Sequence, residues 1–516
     1  MDTTPVPRAD PGTTLPPGWQ FGAMYQVFVR AFQDSNGDGI GDLRGVIMRL
    51  DYLKACGFSG IWLMPVMHSE DHDHGYAIVN YRDIEPQYGT MADFDALVAA
   101  AHERGIGVIL DYVMNHSSAR HPAFIDAQTG QESELREWYL WRAEKPMGWS
   151  IYGNDPWHLD PSGYYFGAFW GQMPDWNLRN PAVVGWHHDN LRFWLNRGVD
   201  GFRFDAVGNL IEDDATTYQN EEGSYKLLRG IEALIDSYEN RYVVCEAPAD
   251  PFGFARTAIG GSAFAFGHNA DLVAAARGDW RALELVAGFP PVAPPSIATF
   301  LSNHDAFAGQ RVFDQLGGNT EAMKVAAALY LLQPGVPFIY YGEEIGMSGG
   351  RDMGADESLR TPMSWTHSVG RPDFTTGIAF RGASANVATN NVSALRADPD
   401  SILHFYRAMI GLRRSRPSLS RGSYEDVTVS DSMLGFRRQS DGEETVVVVN
   451  VGDEAAALTL AGLLPGASYE ALWPSTWQPL IAGNDGTQNV ALRPRSVAVF
   501  GRTVRAMVPS PDATPV

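Results

Sequence analysis

Three carboxylates end short apolar runs in this chain: Asp205 closes GFRFD, Glu246 follows RYVVC and Asp305 closes ATFLSNHD. Arg203 lies two residues before Asp205, on the same side of an extended backbone. Its charge offsets the several kcal/mol that burying an unpaired carboxylate costs, and it favours the ionised, nucleophilic form of Asp205. A structural ion pair would explain any one of these sites. Three carboxylates on one face suit chemistry better, because like charges held together raise at least one pKa and so separate a protonated acid from ionised partners. Glycoside cleavage uses that division: a carboxylic acid protonates the leaving oxygen while a carboxylate faces the developing oxocarbenium ion.

For the three to meet, the runs that carry them must share one sheet. Met24–Phe32, Gly60–Val66, Gly107–Val113, Gly201–Val207, Arg241–Ala247, Ala298–Asp305 and Val336–Glu343 read as strands buried on both faces, with Ala263–Asn269 a weaker eighth. Amphipathic stretches such as Met91–Glu103 and Val184–Arg197 alternate with them. The pattern predicts an α/β protein built on a (β/α)8 TIM barrel, whose active sites form at the carboxyl ends of the strands. Those ends carry Asp111, Asn115 and His116 on the third strand, Arg203 and Asp205 on the fourth, Glu246 on the fifth, and His304 with Asp305 on the seventh. No glycine-rich phosphate loop follows a strand, which argues against nucleotide binding.

One connection is too long for a plain barrel. Residues 116–179 form an insertion after the third strand, rich in Trp, Tyr, Gly and Pro, and it rises from the catalytic face. Most of Trp138, Trp141, Trp149, Trp157, Trp170 and Trp176 belong to its own small core, with one or two exposed rings left as a platform for sugar rings. Short alternating runs from 421 to 505 predict a C-terminal antiparallel β domain without chemistry. The barrel itself then takes 19–115 and 180–420, and the Pro-rich ends 1–18 and 506–516 read as disordered tails.

The net charge of −22 argues against nucleic acid and anionic membranes, both of which are bound through Lys and Arg. The only two cysteines, Cys56 and Cys245, fall in apolar segments where free buried thiols are expected. The N-terminus lacks the basic and apolar stretches of a secretory signal, and no segment is long enough to cross a membrane, so a cytoplasmic location is expected. The loop DSNGDGIGD, Asp34 to Asp42, places side-chain oxygens at alternate positions with Gly39 free to turn, as a hard cation such as Ca²⁺ requires. It starts like an EF-hand but has Gly45 where the closing glutamate would stand. A metal-free polar turn loop is the other reading.

Taken together, GIWLMPV, DYVMNH, MPDWN, GFRFDA, the glutamate of VVCEAP, FLSNHD and GVPFIYYGEEIGM resemble the α-amylase family of retaining glycoside hydrolases (glycoside hydrolase family 13). The resemblance runs from about Met24 to Leu419. RTPMSWT at Arg360–Thr366 and the stretch Met173–Asn177 look most like the group between oligo-1,6-glucosidases and neopullulanases. The resemblance implies that Asp205 is the nucleophile, Glu246 the acid/base and Asp305 the carboxylate that stabilises the transition state. It implies that Tyr76, His116, Arg203 and His304 line the subsite of the attacked sugar. It also implies a structural Ca²⁺ held by Asp34, Asn36, Asp38, the Ile40 carbonyl and Asp42.

Three departures from the family pattern bear on the substrate. Ala77 stands where α-glucosidases carry an aspartate, Gly208 and Asn209 replace the Lys-His pair of many endo-amylases, and no tryptophan follows Glu246. The expected activity is an α-amylase-type hydrolysis of α-1,4-linked gluco-oligosaccharides with transglycosylation. The alternatives are an exo-acting α-glucosidase, sucrose hydrolase or transglucosylase, and, more remotely, a non-catalytic sugar-binding protein on the same fold. The expected partner is a small oligosaccharide, and nothing in the sequence indicates an oligomeric state.

Overall fold

Eight short parallel strands carry the candidate site. They are β1 (Met24–Val27), β2 (Gly60–Leu63), β3 (Gly107–Tyr112), β4 (Gly201–Phe204), β5 (Tyr242–Cys245), β6 (Ser262–Ala263), β7 (Ala298–Thr299) and β8 (Val336–Tyr340). The computed structural model describes residues 1–71, 73–257, 262–368, 373–440 and 442–503. Their hydrogen-bonded order is β6-β5-β4-β3-β2-β1-β8-β7. A parallel bridge between Phe264 and Ala298 joins the two ends, so the sheet closes into the expected barrel.

Each strand is shorter than its apolar run. Met24–Phe32 leaves the sheet after Val27 and turns into a helix at Val29–Phe32, and the run that ends at Asp305 pairs only through Ala298–Thr299. The physical reason is common to all of them. Polar side chains at the carboxyl ends must point into the site, and a ladder continued through them would direct every second one into the packed layer.

The barrel interior is a single apolar cluster that includes Met24, Trp62, Ile109, Tyr242, Val244, Phe264, Phe300 and Phe338. Each fully buried large side chain of this kind contributes about 1.5–3 kcal/mol. Trp19 belongs to the same cluster and lies against Gly60 and Gly107, where an added Cβ would come within 2.7 and 2.5 Å of its ring. The residues before it, read as a disordered tail, are held by side chains and backbone. Val6 N–H donates to Asp189 (3.0 Å), Trp186 Nε1–H to the Asp2 carbonyl (2.9 Å), and the Arg8 guanidinium to the Ser237 carbonyl.

The insertion after β3 folds around a three-stranded antiparallel sheet of Trp141–Arg142, Gly163–Phe166 and Trp157–Asp160. Its core gathers Ile151, Trp157, Phe166 and Ala168. Trp138, Trp157 and Trp176 are buried, whereas Trp170 remains 44% exposed.

Contacts divide the chain into two compact units, and the second takes Asp271–Pro295, Asn319–Gly335 and the chain from Ala408 onward. Its centre is an antiparallel sheet that includes Met433–Ser440, Glu443–Asn450 and Ser496–Thr503, packed on Val446, Val448, Leu458 and Phe500. The helix Thr320–Leu331 packs on Ser496–Thr503 and groups with this unit rather than with the strands of residues 180–420. The C-terminal stretch 506–516 lies outside the described residues. Cys56 and Cys245 are both buried and free, and no helix among the described residues is long and apolar enough to cross a membrane.

The ring of Trp19 leaves no space for a methyl group at Gly107. Gly107→Ala is therefore expected to destabilise the first unit by about 1–3 kcal/mol, through overpacking of the barrel floor. A lowered urea midpoint in chemical denaturation would register it, and an unchanged midpoint would show that Trp19 is free to move.

Candidate active site

Arg203 is the centre of the site. It lies in β4 directly opposite Asp111 of β3, and both side chains are essentially inaccessible. Its Nη1 donates to Asp111 Oδ1 at 2.9 Å and to Asp205 Oδ1 at 2.5 Å, while Nη2 pairs with Glu246 Oε2 at 2.7 Å. One guanidinium therefore holds carboxylates from three adjacent strand ends. Asp205 and Glu246 are drawn toward one another across it, as a retaining pair requires. Removing a partner from such a buried group costs about 3–5 kcal/mol, because the remaining charge is left unpaired.

Local backbone places the two key carboxylates. Ala206 turns left-handed at φ 47°, which ends β4 abruptly at Asp205. The short turn Val207–Asn209 that follows is tied to the next strand end, with Val207 N–H donating to the Glu246 carbonyl (3.1 Å). Ala206 N–H donates to Glu246 Oε2 at 3.2 Å.

A second network surrounds this group. Asp111 Oδ2 accepts from Trp62 Nε1–H (3.1 Å) and from the Tyr76 hydroxyl (2.8 Å). Because that hydroxyl donates to Asp111, it accepts from His304 Nε2 at 2.9 Å. Gln26 Nε2–H donates to His304 Nδ1 at 2.8 Å. These partners assign His304 as the neutral Nε2–H tautomer, whose proton also reaches Asp305 Oδ2 at 3.1 Å. Burial, with Arg360 and Arg203 nearby, holds its imidazole far below the usual range. Arg360 then donates to Asp305 Oδ1 (3.0 Å) and, through Nη1, to Asp73 Oδ2 (2.8 Å). Arg381 grips the other oxygen of Asp73 at 2.6 Å.

The carboxylates differ in protonation for physical reasons. Burial pushes Glu246 well above the ordinary range; Arg203 opposes the shift, and the charges of Asp205 and Asp305 reinforce it. Burial likewise raises Asp305 to about 6 and Asp111 to about 7, against the pull of Arg360 and Arg203 on the first and Arg203 on the second. His116 is lowered to about 4 by burial and carries no charge at neutral pH, and its Nε2 has no protein partner.

These residues border a cavity of about 700 Å³. Of the seven residues expected in the site, Tyr76, His116, Asp205, Glu246, His304 and Asp305 line it, while Arg203 lies beneath the carboxylates. Sequence reasoning missed Arg360 as a site residue although it opens the RTPMSWT stretch, and it missed Asp73, Arg381, Tyr152, Phe169 and Phe307 altogether. Asp73 and Arg381 are 308 positions apart, so no local pattern joins them.

The loop Asp34–Asp42 offers the right chemistry for Ca²⁺ but no converged carboxylate cage. Asp34 accepts from the N–H groups of Asn36, Gly37 and Gly39, and Asp42 Oδ1 caps the helix Leu43–Cys56 by accepting from Gly45 N–H. Among the described residues no three His, Cys, Asp or Glu side chains are gathered to hold an ion. An ion here would need the Asn36 amide, the Ile40 carbonyl and water in addition. None of the chemistry above passes through this loop.

The arrangement pairs a buried neutral acid with an oppositely placed carboxylate, and it surrounds them with hydroxyl-binding groups. The sequence profile of the α-amylase catalytic domain matches residues 26–422. α-Amylase 3 of Dictyoglomus thermophilum is 34% identical over 84% of this chain and 85% of its own. A probable α-glucosidase of Rhizobium meliloti is 31% identical over 86% and 91%. The solved structure of an isomaltulose synthase mutant from Erwinia rhapontici NX5, in complex with its natural substrate sucrose, superposes with a TM-score of 0.79. It is 28% identical and covers 94% of this chain and 99% of its own.

Asp205→Ala and Glu246→Gln are each expected to lower turnover by a factor of about 10²–10⁴ or more while the protein stays folded. Steady-state assays with a thermal melt check both; near-normal activity in either variant would remove that residue from the chemistry. The pH profile has a defined sign. Glu246 must be protonated to donate, so kcat/KM falls as pH rises through its elevated pKa. Asp305→Asn removes one of the charges that raise it, so the alkaline limb of the residual activity should move to lower pH.

Proposed function

Since this chain belongs to the α-amylase family of glycoside hydrolases, we propose that it is an exo-acting, retaining α-glucosidase with transglucosylase activity on small α-glucosides such as sucrose and maltose. One observation carries the reading. One end of the cavity is lined by Asp305 and Arg360, and Arg360 is anchored from behind by Asp73, itself held by Arg381, with contacts of 3.0, 2.8 and 2.6 Å along the chain. In this reading the anchored Asp305–Arg360 pair is the closed side of the site, against which one terminal sugar ring would rest. The expectation of an α-amylase-type enzyme on longer α-1,4-glucans gives way for this reason, and the likeness to α-glucosidases and to a sucrose-converting synthase supports the change.

In this reading Asp205 attacks the anomeric carbon while Glu246 protonates the leaving oxygen, which yields a covalent glucosyl ester. Glu246, now ionised, removes a proton from water or from an acceptor hydroxyl, and the ester opens with overall retention of the α configuration. Asp305 and Arg360 hold the sugar hydroxyls at the closed end, and neutral His304 and His116 donate hydrogen bonds without adding charge. A non-catalytic binding protein has no need of the buried acid at Glu246, and all three carboxylates are intact.

Product analysis on sucrose, maltose, maltotriose and maltoheptaose tests the proposal. The glucosyl unit is expected to appear as α-glucose from each of them, alongside fructose from sucrose and the chain shortened by one residue from the maltose series. Maltotriose and maltotetraose appearing early from maltoheptaose, in place of glucose with maltohexaose, would restore the endo-acting reading. Ca²⁺ remains part of the proposal as a structural ion, because Asp34, Asn36, Asp38 and Asp42 bring four oxygen-bearing side chains to one loop. Calcium should then raise the melting temperature and a chelator should lower it; identical melts would leave the loop satisfied by its own backbone.

A further inference from the structure

His116 lines the cavity with an imidazole that the surrounding side chains hold loosely. Its Nε2 has no protein partner, its Nδ1 meets the Asn115 amide at the long distance of 3.4 Å, and Phe169 packs edge-on with centroids 5.3 Å apart. The Tyr76 backbone adds one hydrogen bond to the ring. A ring with so few ties takes its position chiefly from its own backbone.

That backbone is fixed from two sides. His116 bridges Asp175 of the insertion in antiparallel fashion, and the bonds are made by the residues on either side: Trp176 N–H donates to the Asn115 carbonyl (3.0 Å) and Ser117 N–H to the Pro174 carbonyl (3.0 Å). In such a pairing the carbonyl of the bridged residue points the other way. There it accepts from the Tyr81 hydroxyl at 2.7 Å, across 35 positions of sequence. Tyr81 is buried in the strand Ile78–Ile84, and its hydroxyl accepts from Trp176 Nε1–H (3.2 Å), which leaves its own proton for His116. Burial raises that hydroxyl far above the usual phenol range, so it stays a donor. Trp186 and His187 pack edge-on against the ring at 5.1 and 5.5 Å, and Trp194 Nε1–H holds the Tyr81 carbonyl at 2.9 Å. The tyrosine is held on every side where the histidine is not.

We propose that Tyr81 is a positioning residue of this active site: its hydroxyl, acting through the His116 carbonyl, sets where the imidazole meets the bound sugar. The inference rests on the glucosidase reading above. Tyr81 does not itself line the cavity, so its effect on the sugar passes through the residue it holds. A hydroxyl that merely satisfied two buried groups would change stability alone.

A double-mutant cycle tests this, on whichever of sucrose and maltose the enzyme cleaves faster. Tyr81→Phe, which removes one oxygen and keeps the ring, should raise KM about five- to twentyfold while kcat changes less than about threefold. KM does not depend on the fraction of protein that is folded, so a loss of stability by itself leaves it unmoved. In a His116→Ala background the same substitution should change KM by less than about twofold, because the ring it positions is gone. An unchanged KM in Tyr81→Phe, or an equal rise in both backgrounds, overturns the proposal and leaves the glucosidase reading intact. Where His116→Ala turns over too slowly to measure, calorimetric Kd values for the same sugar in Glu246→Gln protein take the place of KM. Should Tyr81→Phe fail to fold, Trp176→Phe removes the donor that orients the hydroxyl and carries the same cycle, with an expected rise of about two- to fivefold and the same overturning results. If neither sugar is cleaved, both readings fall.

Discussion

One guanidinium governs the architecture of this site. Arg203 is buried where water cannot solvate it, so its charge is tolerable only because Asp111, Asp205 and Glu246 surround it. The converse is equally binding, since three buried carboxylates would repel one another without it. Each side is stable only in the presence of the other, and both arise from adjacent parallel strands in fixed register. A slip of one residue in β4 would turn Arg203 away and leave Asp111 facing a phenylalanine.

That constraint explains the layering outward. Asp111, opposite Arg203 in the β3–β4 pairing, meets only its own donors, Trp62, Tyr76 and Arg203. Glu246, with fewer donors and two like charges nearby, is pushed toward the neutral acid. Asp305 belongs to a separate arginine, Arg360, and through it to Asp73 and Arg381. The site is thus built on two ion-pair systems, joined through the neutral His304 and Tyr76. Neutral histidines are well suited to that junction, because they relay hydrogen bonds without adding a charge that either arginine would oppose.

The cavity also has a chemical gradient along its length. Ion pairs and hydroxyl-bearing groups gather around Tyr76, His304, Asp305 and Arg360, whereas Ala247–Ala249, Tyr152 and Phe307 bring apolar surface to the same cavity.

The amino-acid sequence by itself determined the barrel and the chemistry, because both are written in short segments. Apolar runs of seven to nine residues announce the strands, and GFRFDA, VVCEA and FLSNHD carry their polar groups at the carboxyl ends, where a barrel must expose them. Length misled only where those polar ends were counted as strand, as in Ala298–Asp305. What only the tertiary structure decided was the shape of the cavity around that chemistry. Asp73 meets Arg360 across 287 residues and Phe307 leans on Phe266 from a neighbouring strand end, so neither contact leaves a periodic or local trace. Reaction type rests on residues that strand register brings together, and substrate choice rests on loops whose partners are chosen by packing in three dimensions.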